Sequence, residues 1–593
     1  MAGFVSGCNV RKASQQILSS FNLKMSEQTV LIIVAALIGV VVGLGTVFFE
    51  KMLEGASWLF GTFLPGLVGG HVWVVALMPA LGGLLLAPFF WKWPEEAQTE
   101  GIPATMEAVA FKNGAIKWTS GLFTMLMSSL TLGSGGSAGS EGPIVRIGSD
   151  FGSGVGQLFG VEGPSGRLMA ACGAGAGLAA IFNAPIAGVL FAIEVVLGEF
   201  HVYSFSPIVI SSVVATAFSR AFLFHGGFDL QIPAYQLFSP WEIGLYAILG
   251  IAAGLVSAGF VRLMQISHKF FHHKVKIPTV FKPALGGLVV GLMGVFLPQI
   301  LGFAHGPYLA AINGKFAIGL LFILIAAKMV ATALTLGSGG CGGVLCPSLF
   351  MGAALGSGLG MIFHDFLPHL VPQAGGYGIV GMGAVLGAVV QAPMAAIVMI
   401  FEMTNDYTVI LPMMTACILA AMIQKSILKG SIYTLNLSGR GIDIHAGREM
   451  GVLSNVRVRD VMESAFVAVP SSASYDVVLQ KCLNNGGNCL YVLDDKEALA
   501  GVVSFSDLKE YMQEESEDNS LRASDISNSH FVFVTPDESL ASSLNKFNSC
   551  DLEQLPVIDP DVGKNAKIRG VITRGQLLKA YREEMLKRQL IPN

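Results

Sequence analysis

Charge is what this 593-residue chain has least of: 13% of its residues are Asp, Glu, Lys or Arg against 53% hydrophobic, and its mean hydropathy is +0.63. That balance excludes an ordinary soluble multidomain enzyme and makes a membrane protein the expectation. The scarcity is uneven. Residues 1–440 carry 20 basic and 17 acidic side chains, whereas 441–593 carry 16 and 23, so two physical environments are implied. Neither part has the basic excess that nucleic acid would require of a partner. Cysteine is sparse and irregular: Cys8, Cys172, Cys341, Cys346, Cys417, Cys482, Cys489 and Cys550 follow no pairing or ligand spacing, which speaks against a disulfide framework or a zinc site. None of the eleven histidines belongs to an HExxH string, which sets aside an intramembrane metalloprotease. Acidic residues are few within the apolar segments, which counts against the rival reading of a cation transporter with a polar tail.

What is abundant is apolar sequence and glycine, 72 residues of it. The first long apolar run, Val30 to Phe49, is too long and too late for a cleaved signal and reads as a transmembrane helix behind a cytoplasmic segment, 1–28, that carries Arg11, Lys12 and Lys24. Many later apolar segments are too short, or too broken by Gly and Pro, to be simple spans. Lys269, Lys274, Lys276 and Lys282, and again Lys425 and Lys429, place those ends and both termini on the cytoplasmic side.

An internal repeat organises residues 29–440. Leu130 to Gly136 reads LTLGSGG, as does Leu334 to Gly340, and GSGGSAGSEGP at 133–143 lies opposite GSGGCGGVLCP at 337–347. Further on, Ala184-Pro185 and Glu194 correspond to Ala392-Pro393 and Glu402. Glycine-interrupted apolar segments at matching places in two halves point to an all-α membrane domain of two inverted repeats whose broken helices meet at a midplane site. A helix that begins inside the membrane leaves unpaired N–H groups and a positive dipole end, which attract an anion. Ser134, Ser137 and Ser338 are expected to add hydroxyl donors. Glu141 stands out as a carboxylate in the first Gly-rich loop, opposite Leu345 in the second. It is the candidate gate, since a carboxylate held among anion-binding donors competes with a permeant anion and releases the site on protonation. Glu194 and Glu402 read as repeat-equivalent structural acids at helix ends.

Beyond Val456 the pattern changes to short strands alternating with amphipathic helices, twice over, which predicts two compact α/β modules at 441–515 and 521–593 joined by the acidic stretch Gln513 to Ser520. The first module is expected to contain strands at Phe466–Val469, Cys489–Leu493 and Leu499–Phe505, and the second at Phe531–Thr535, Gln554–Ile558 and Ile568–Thr573.

These strings together resemble the CLC chloride channel and transporter family followed by paired cystathionine-β-synthase-type (CBS) domains. GSEGP at 139–143 resembles the family's gating-glutamate motif, with Ser140, Glu141 and Gly142; GGVLCP at 342–347 resembles the second-half filter motif, with Val344 and with Leu345 where phenylalanine is usual. TEGIP at 99–103 is similar to the first filter motif, with Glu100, Gly101 and Ile102, and Tyr433 in SIYTL stands where the family's central tyrosine lies. Glu100 replaces the usual serine; ionised at about 4 Å from chloride it would repel the anion by roughly 4 kcal/mol at an effective dielectric near 20. Val195 follows Glu194 where proton-coupled members usually carry a second glutamate. The resemblance implies a homodimeric chloride transport protein rather than an enzyme, with passive voltage- or pH-gated conduction favoured over H+/Cl− exchange. It also implies an adenine nucleotide (ATP, ADP or AMP) at the tail, with Asp507 in GVVSFSD accepting from ribose hydroxyls and Gln576 replacing the corresponding aspartate of the second module.

Overall fold

The computed structural model describes residues 27–67, 69, 72–93, 101–161, 163–200, 202–222, 239–302, 306–440, 442, 444, 453, 456–484, 489–504, 507–508, 521–529, 531–548, 550, 552–559 and 567–590. The N-terminal segment 1–26, Glu100 and the acidic linker therefore lie outside the described residues. The chain divides into two compact units, Met1–Ile444 and His445–Asn593.

The first unit is helical. Its first half comprises α1 (Glu27–Trp58), α2 (Val72–Leu85), α3 (Gly101–Phe111), α4 (Trp118–Gly133), α5 (Glu141–Leu158), α6 (Pro164–Phe182), α7 (Pro185–Phe191) and α8 (Val202–Phe222). The second comprises α9 (Glu242–Lys269), α10 (Lys282–Phe296), α11 (Gly306–Ile312), α12 (Ile318–Gly337), α13 (Leu345–Phe366), α14 (Gly375–Val390), α15 (Pro393–Thr404), α16 (Ile410–Leu428) and α17 (Ile432–Gly439). Among the described residues nine helical stretches are long and apolar enough to cross a membrane. Along α1, Ile33, Leu37, Val41, Leu44 and Phe48 form an exposed stripe at helical spacing while Val34, Ala35, Ile38, Val42 and Phe49 are buried. Both faces are apolar, as a helix between protein and lipid requires.

Packing repeats with the sequence. α1 lies on α8 and α9 on α16; α5 lies on α6 and α13 on α14; α2 meets α10 and α7 meets α15 across the two halves. With no hydrophobic gain from helix association in an apolar medium, close backbone contact supplies the cohesion. A Cβ on Gly173 of α6 would stand 1.9 Å from the Gly148 carbonyl oxygen of α5, and one on Gly381 of α14 would stand 2.2 Å from that of Gly352 on α13. The long apolar run 168–197 is broken where Asn183, in the left-handed region at φ 55°, ends α6 before Pro185; Gln391 at φ 58° ends α14 before Pro393 in the same way.

The second unit contains β1 (Ala468–Pro470), α18 (Tyr475–Asn484), β2 (Leu490–Leu493), β3 (Leu499–Val503), α19 (Leu540–Asn548), β4 (Gln554–Ile558), β5 (Ile568–Thr573) and α20 (Arg574–Leu590). β1 runs parallel to β2 and β2 antiparallel to β3, while β4 and β5 form an antiparallel pair. The expected strand Phe531–Thr535 is reduced to a single parallel bridge, Val534 to Val557. Val534 N–H donates to Pro556 O and Ile558 N–H to Val534 O, but the next bond of such a ladder would need an N–H on Pro556, which has none. The two modules are tied by backbone pairs in which the segment leading into each meets the last strand of the other: Glu463 with Val571, and Asn528 with Val502.

The glycine crossing yields a stability prediction. Gly173→Ala should destabilise the first unit by about 1–3 kcal/mol, because a backbone carbonyl cannot give way as a side-chain tip does. Gly61→Ala, where an added Cβ meets nothing within 4 Å, is the control. Thermal unfolding in detergent compares them, and equal midpoints would refute the packing argument.

Candidate functional site

The two Gly-rich loops meet at the centre of the first unit, between the ends of α4 and α12 and the starts of α5 and α13. Gly139 N–H donates to Gly343 O at 2.9 Å, and Gly343 N–H to Gly139 O at 2.7 Å, a two-bond antiparallel seam between the halves. Flanking it, Ser137 N–H donates to Thr335 Oγ1 at 3.1 Å and Cys341 N–H to Thr131 Oγ1 at 3.2 Å, so each half supplies a threonine hydroxyl to the other's loop. Gly135 at φ 102° and Gly339 at φ 105° make the sharp turns that start the loops, a backbone region that only glycine enters freely.

Each loop delivers the chain to a helix that begins in a buried place. The fully buried Glu141 is the first residue of α5, and its carboxylate reaches across to the other half: Oε1 accepts from the Cys346 N–H at 2.7 Å, in the first turn of α13. Among the described residues Oε2 is buried without a hydrogen-bond partner. The carboxylate thus occupies the place at which an N-terminal helix end of the second half would hold an anion. Leu345, at the equivalent place in the second half, has no acceptor to return to α5.

The remaining sequence-selected residues gather around this point. Gly142 packs on the seam, a Cβ there standing 2.7 Å from Gly343 Cα, and a Cβ on Gly101 would lie 3.3 Å from Gly142 O, which sets the start of α3 against the start of α5. Ile102, Ser140, Val344 and Leu345 are buried. Tyr433 is buried on α17, which packs against α3, and among the described residues its hydroxyl has no hydrogen-bond partner. The serines were expected to face an anion, but Ser134 and Ser338 donate their hydroxyls to Thr131 O and Thr335 O, both at 3.0 Å, and Ser137 Oγ pairs with Thr332 Oγ1 at 3.3 Å. They close the ends of α4 and α12 and bind the seam, because an apolar interior leaves no water for those carbonyls.

Glu194 and Glu402 perform a second exchange between halves. Glu402 accepts from Ile186 and Ala187 N–H at 3.0 and 2.8 Å, at the start of α7; Glu194 accepts from Ala395 N–H at 2.9 Å and Met394 N–H at 3.5 Å, at the start of α15. Val195 beside it is buried in the apolar core. Sequence reasoning passed over Cys346, Thr131 and Thr335. The repeat held the signal for the threonines, since both stand in the duplicated heptamer.

In the second unit, Asp507 Oδ2 accepts from Ser504 N–H and Ser504 Oγ, both at 2.7 Å, and Gln576 Oε1 accepts from Thr573 N–H at 2.8 Å. The amide therefore fills in the second module the same turn-closing role that the carboxylate has in the first.

Inverted halves, broken helices and opposed helix N-termini with one carboxylate between them define a membrane protein that handles anions. The voltage gated chloride channel family model matches residues 82–425, and the CBS domain model matches 458–514 and 523–583. A putative chloride channel protein ClcB-like of Ralstonia nicotianae is 33% identical over 396 residues, 65% of this chain and 91% of that one. The H(+)/Cl(−) exchange transporter ClcA of Cronobacter sakazakii is 33% identical over 412 residues, 66% and 86% of the two chains. Among solved structures, a slow cyanobacterial Cl−/H+ antiporter superposes with a TM-score of 0.64 at 25% identity, covering 70% of this chain and 99% of that one. The chain belongs to the voltage gated chloride channel family, with anion transport as its work, and carries two CBS domains after the membrane part.

The exchanged caps give a test that needs no transport. Glu402→Leu leaves two N–H groups at the start of α7 without their acceptor and should cost about 1–3 kcal/mol, and Glu402→Gln, which keeps an acceptor, should cost less. The order of thermal midpoints in detergent, wild type above Gln above Leu, is the expected result.

Proposed function

We propose that the chain conducts chloride passively across the membrane, with Glu141 as the gate and the N-termini of α5 and α13 as the anion site. The observation that carries this reading is the 2.7 Å bond from the Cys346 N–H to Glu141 Oε1, in which the protein's own carboxylate stands in for the permeant anion. Protonation removes the charge that holds it there, so flux should rise as pH falls. Gly101, Ile102, Ser140, Gly142, Val344 and Leu345 line the approach in this reading, with the Tyr433 hydroxyl as a further donor. Glu100 remains an expected contributor from the first filter motif. Val195 supports the passive mechanism, since an alkyl side chain in an apolar core passes no proton, and the neighbouring Glu194 is engaged with α15. Proton-coupled exchange is the second reading, favoured by the similarity to the exchange transporter ClcA and to the cyanobacterial antiporter.

We further propose a homodimer, one pathway per subunit, with 29–440 in the membrane and both termini cytoplasmic. The lysines at the end of α9 and at Lys425 and Lys429 support that orientation.

Chloride efflux from proteoliposomes, recorded together with proton movement, decides between the two mechanisms. Wild-type protein should dissipate a chloride gradient without driving protons uphill, and Glu141→Gln should raise flux and flatten its pH profile. Sustained uphill proton uptake would establish exchange instead. Identical flux and pH profile in the two proteins would remove Glu141 from the gate.

For the tail, we propose one adenine nucleotide per chain, with Asp507 Oδ1 left to accept from the ribose while Oδ2 closes its turn. Titration of the full chain in detergent with AMP, ADP and ATP should give one site, abolished in Asp507→Ala. A stoichiometry of zero, or binding unaffected by the substitution, would leave the tail a structural element.

A further inference from the structure

Lys328 is a buried ionisable group that this reading leaves without work. It lies midway along the otherwise apolar α12 and is 5% exposed. Its ammonium donates to Ile300 O at 2.9 Å and to Gly302 O at 3.1 Å, and it stands 5.8 Å from the centre of the Phe350 ring. These partners are neutral, and among the described residues no carboxylate lies within ion-pair distance of it. Carbonyls and a ring face solvate an ammonium but do not cancel its charge, and one of its three N–H directions remains unused by these bonds. The charge the ammonium feels is that of the Glu141 carboxylate, beyond ion-pair distance; once that carboxylate is protonated or leaves, a buried cation held in this way, inside a membrane protein, calls for an anion.

The surroundings supply a place for one. Lys328, Tyr308, Gln299, Cys346, Phe350 and Ala138 line a cavity of about 10 Å³, roughly the room one water-sized body needs. Among the described residues Gln299 Oε1 is buried without a partner, and exchanging the ends of that amide turns an N–H2 group to the same space. The cavity adjoins Glu141 through one residue, since Cys346 both lines it and holds the Glu141 carboxylate by its N–H. The segment that anchors the ammonium is also tied to the Gly-rich loop, through the Gly302 N–H to Gly135 O at 3.2 Å.

We propose that Lys328 and this cavity form a second anion station, for one small anion and distinct from the facing helix ends, from which an anion succeeds the Glu141 carboxylate when it leaves α13. The proposal rests on the reading of Glu141 as the gate for its transport role, but not for the binding itself.

The test separates the two. Crystals of Glu141→Gln protein soaked in bromide should show anomalous density in contact with Lys328 Nζ, and Lys328→Met should abolish that peak while leaving any peak at the helix ends. In proteoliposomes Lys328→Met should raise the chloride concentration for half-maximal flux about tenfold, and Lys328→Arg should restore it to within about threefold. Gln299→Leu, which leaves the lysine's anchors intact, should weaken the same half-saturation and guards against a folding defect in the lysine variant. Bromide confined to the helix ends, or a Lys328 peak that persists in Lys328→Met, overturns the site. A lost peak with unchanged half-saturation overturns its part in transport. Equal flux in wild type and Glu141→Gln, with the Lys328 peak present, would instead fault the gate.

Discussion

A helix that starts in an apolar interior must find acceptors for its first N–H groups, and the structure of the membrane unit depends on how that demand is met. Water is absent there and each orphaned donor is expensive. The start of α13, in the interior, and those of α7 and α15, nearer the surface of the unit, are all met by carboxylates from the opposite half: Glu141, Glu402 and Glu194. The two halves are therefore held together by the same groups that make their broken helices tolerable. Breaking a helix inside the membrane, which opens a place for an anion, also creates the need that fastens one repeat to the other.

Symmetry would return each favour, and at α7 and α15 it does. At the centre it does not. Glu141 reaches α13, while Leu345 gives nothing to α5. That single departure separates a static brace from a movable one, for a carboxylate with one oxygen bonded and the other unpartnered is held less firmly than Glu402, which is bound through both oxygens. The threonine bonds and the Gly139–Gly343 seam fix the backbone around it, so a change at the site falls to the side chain.

Much of this was legible in the sequence because duplication is legible. The repeated heptamer announced two related halves, and Ala184-Pro185 with Ala392-Pro393 announced the breaks. The odd carboxylate at Glu141 was found by comparing the halves with each other. Direction was harder to read. That Glu194 and Glu402 cap each other's half depends on contacts about 200 residues apart in the chain, which no local pattern encodes; the hydroxyls of Ser134 and Ser338 instead turn back onto carbonyls three residues earlier, a choice of direction that residue type alone does not reveal. Cys346 contributes through its backbone N–H, to which the identity of its side chain gives no clue. In the tail, the shortened strand at Val534 follows from a proline on the partner strand, again a matter of pairing that local propensity does not contain.

The bond from the Ile186 N–H to Glu402 joins residues 216 positions apart. Ribosomes add about 5–20 residues per second, so the start of α7 exists for roughly 10 to 40 s before its acceptor has been made. Throughout that interval the first repeat lacks the acceptor that its α7 N–H groups have in the finished structure. Biogenesis must bridge the delay, by holding α7 at the water-facing edge of the insertion machinery or by lending it a temporary acceptor. The reciprocal caps thereby set the moment of assembly: the first half cannot complete its contacts until α15 of the second has been synthesised.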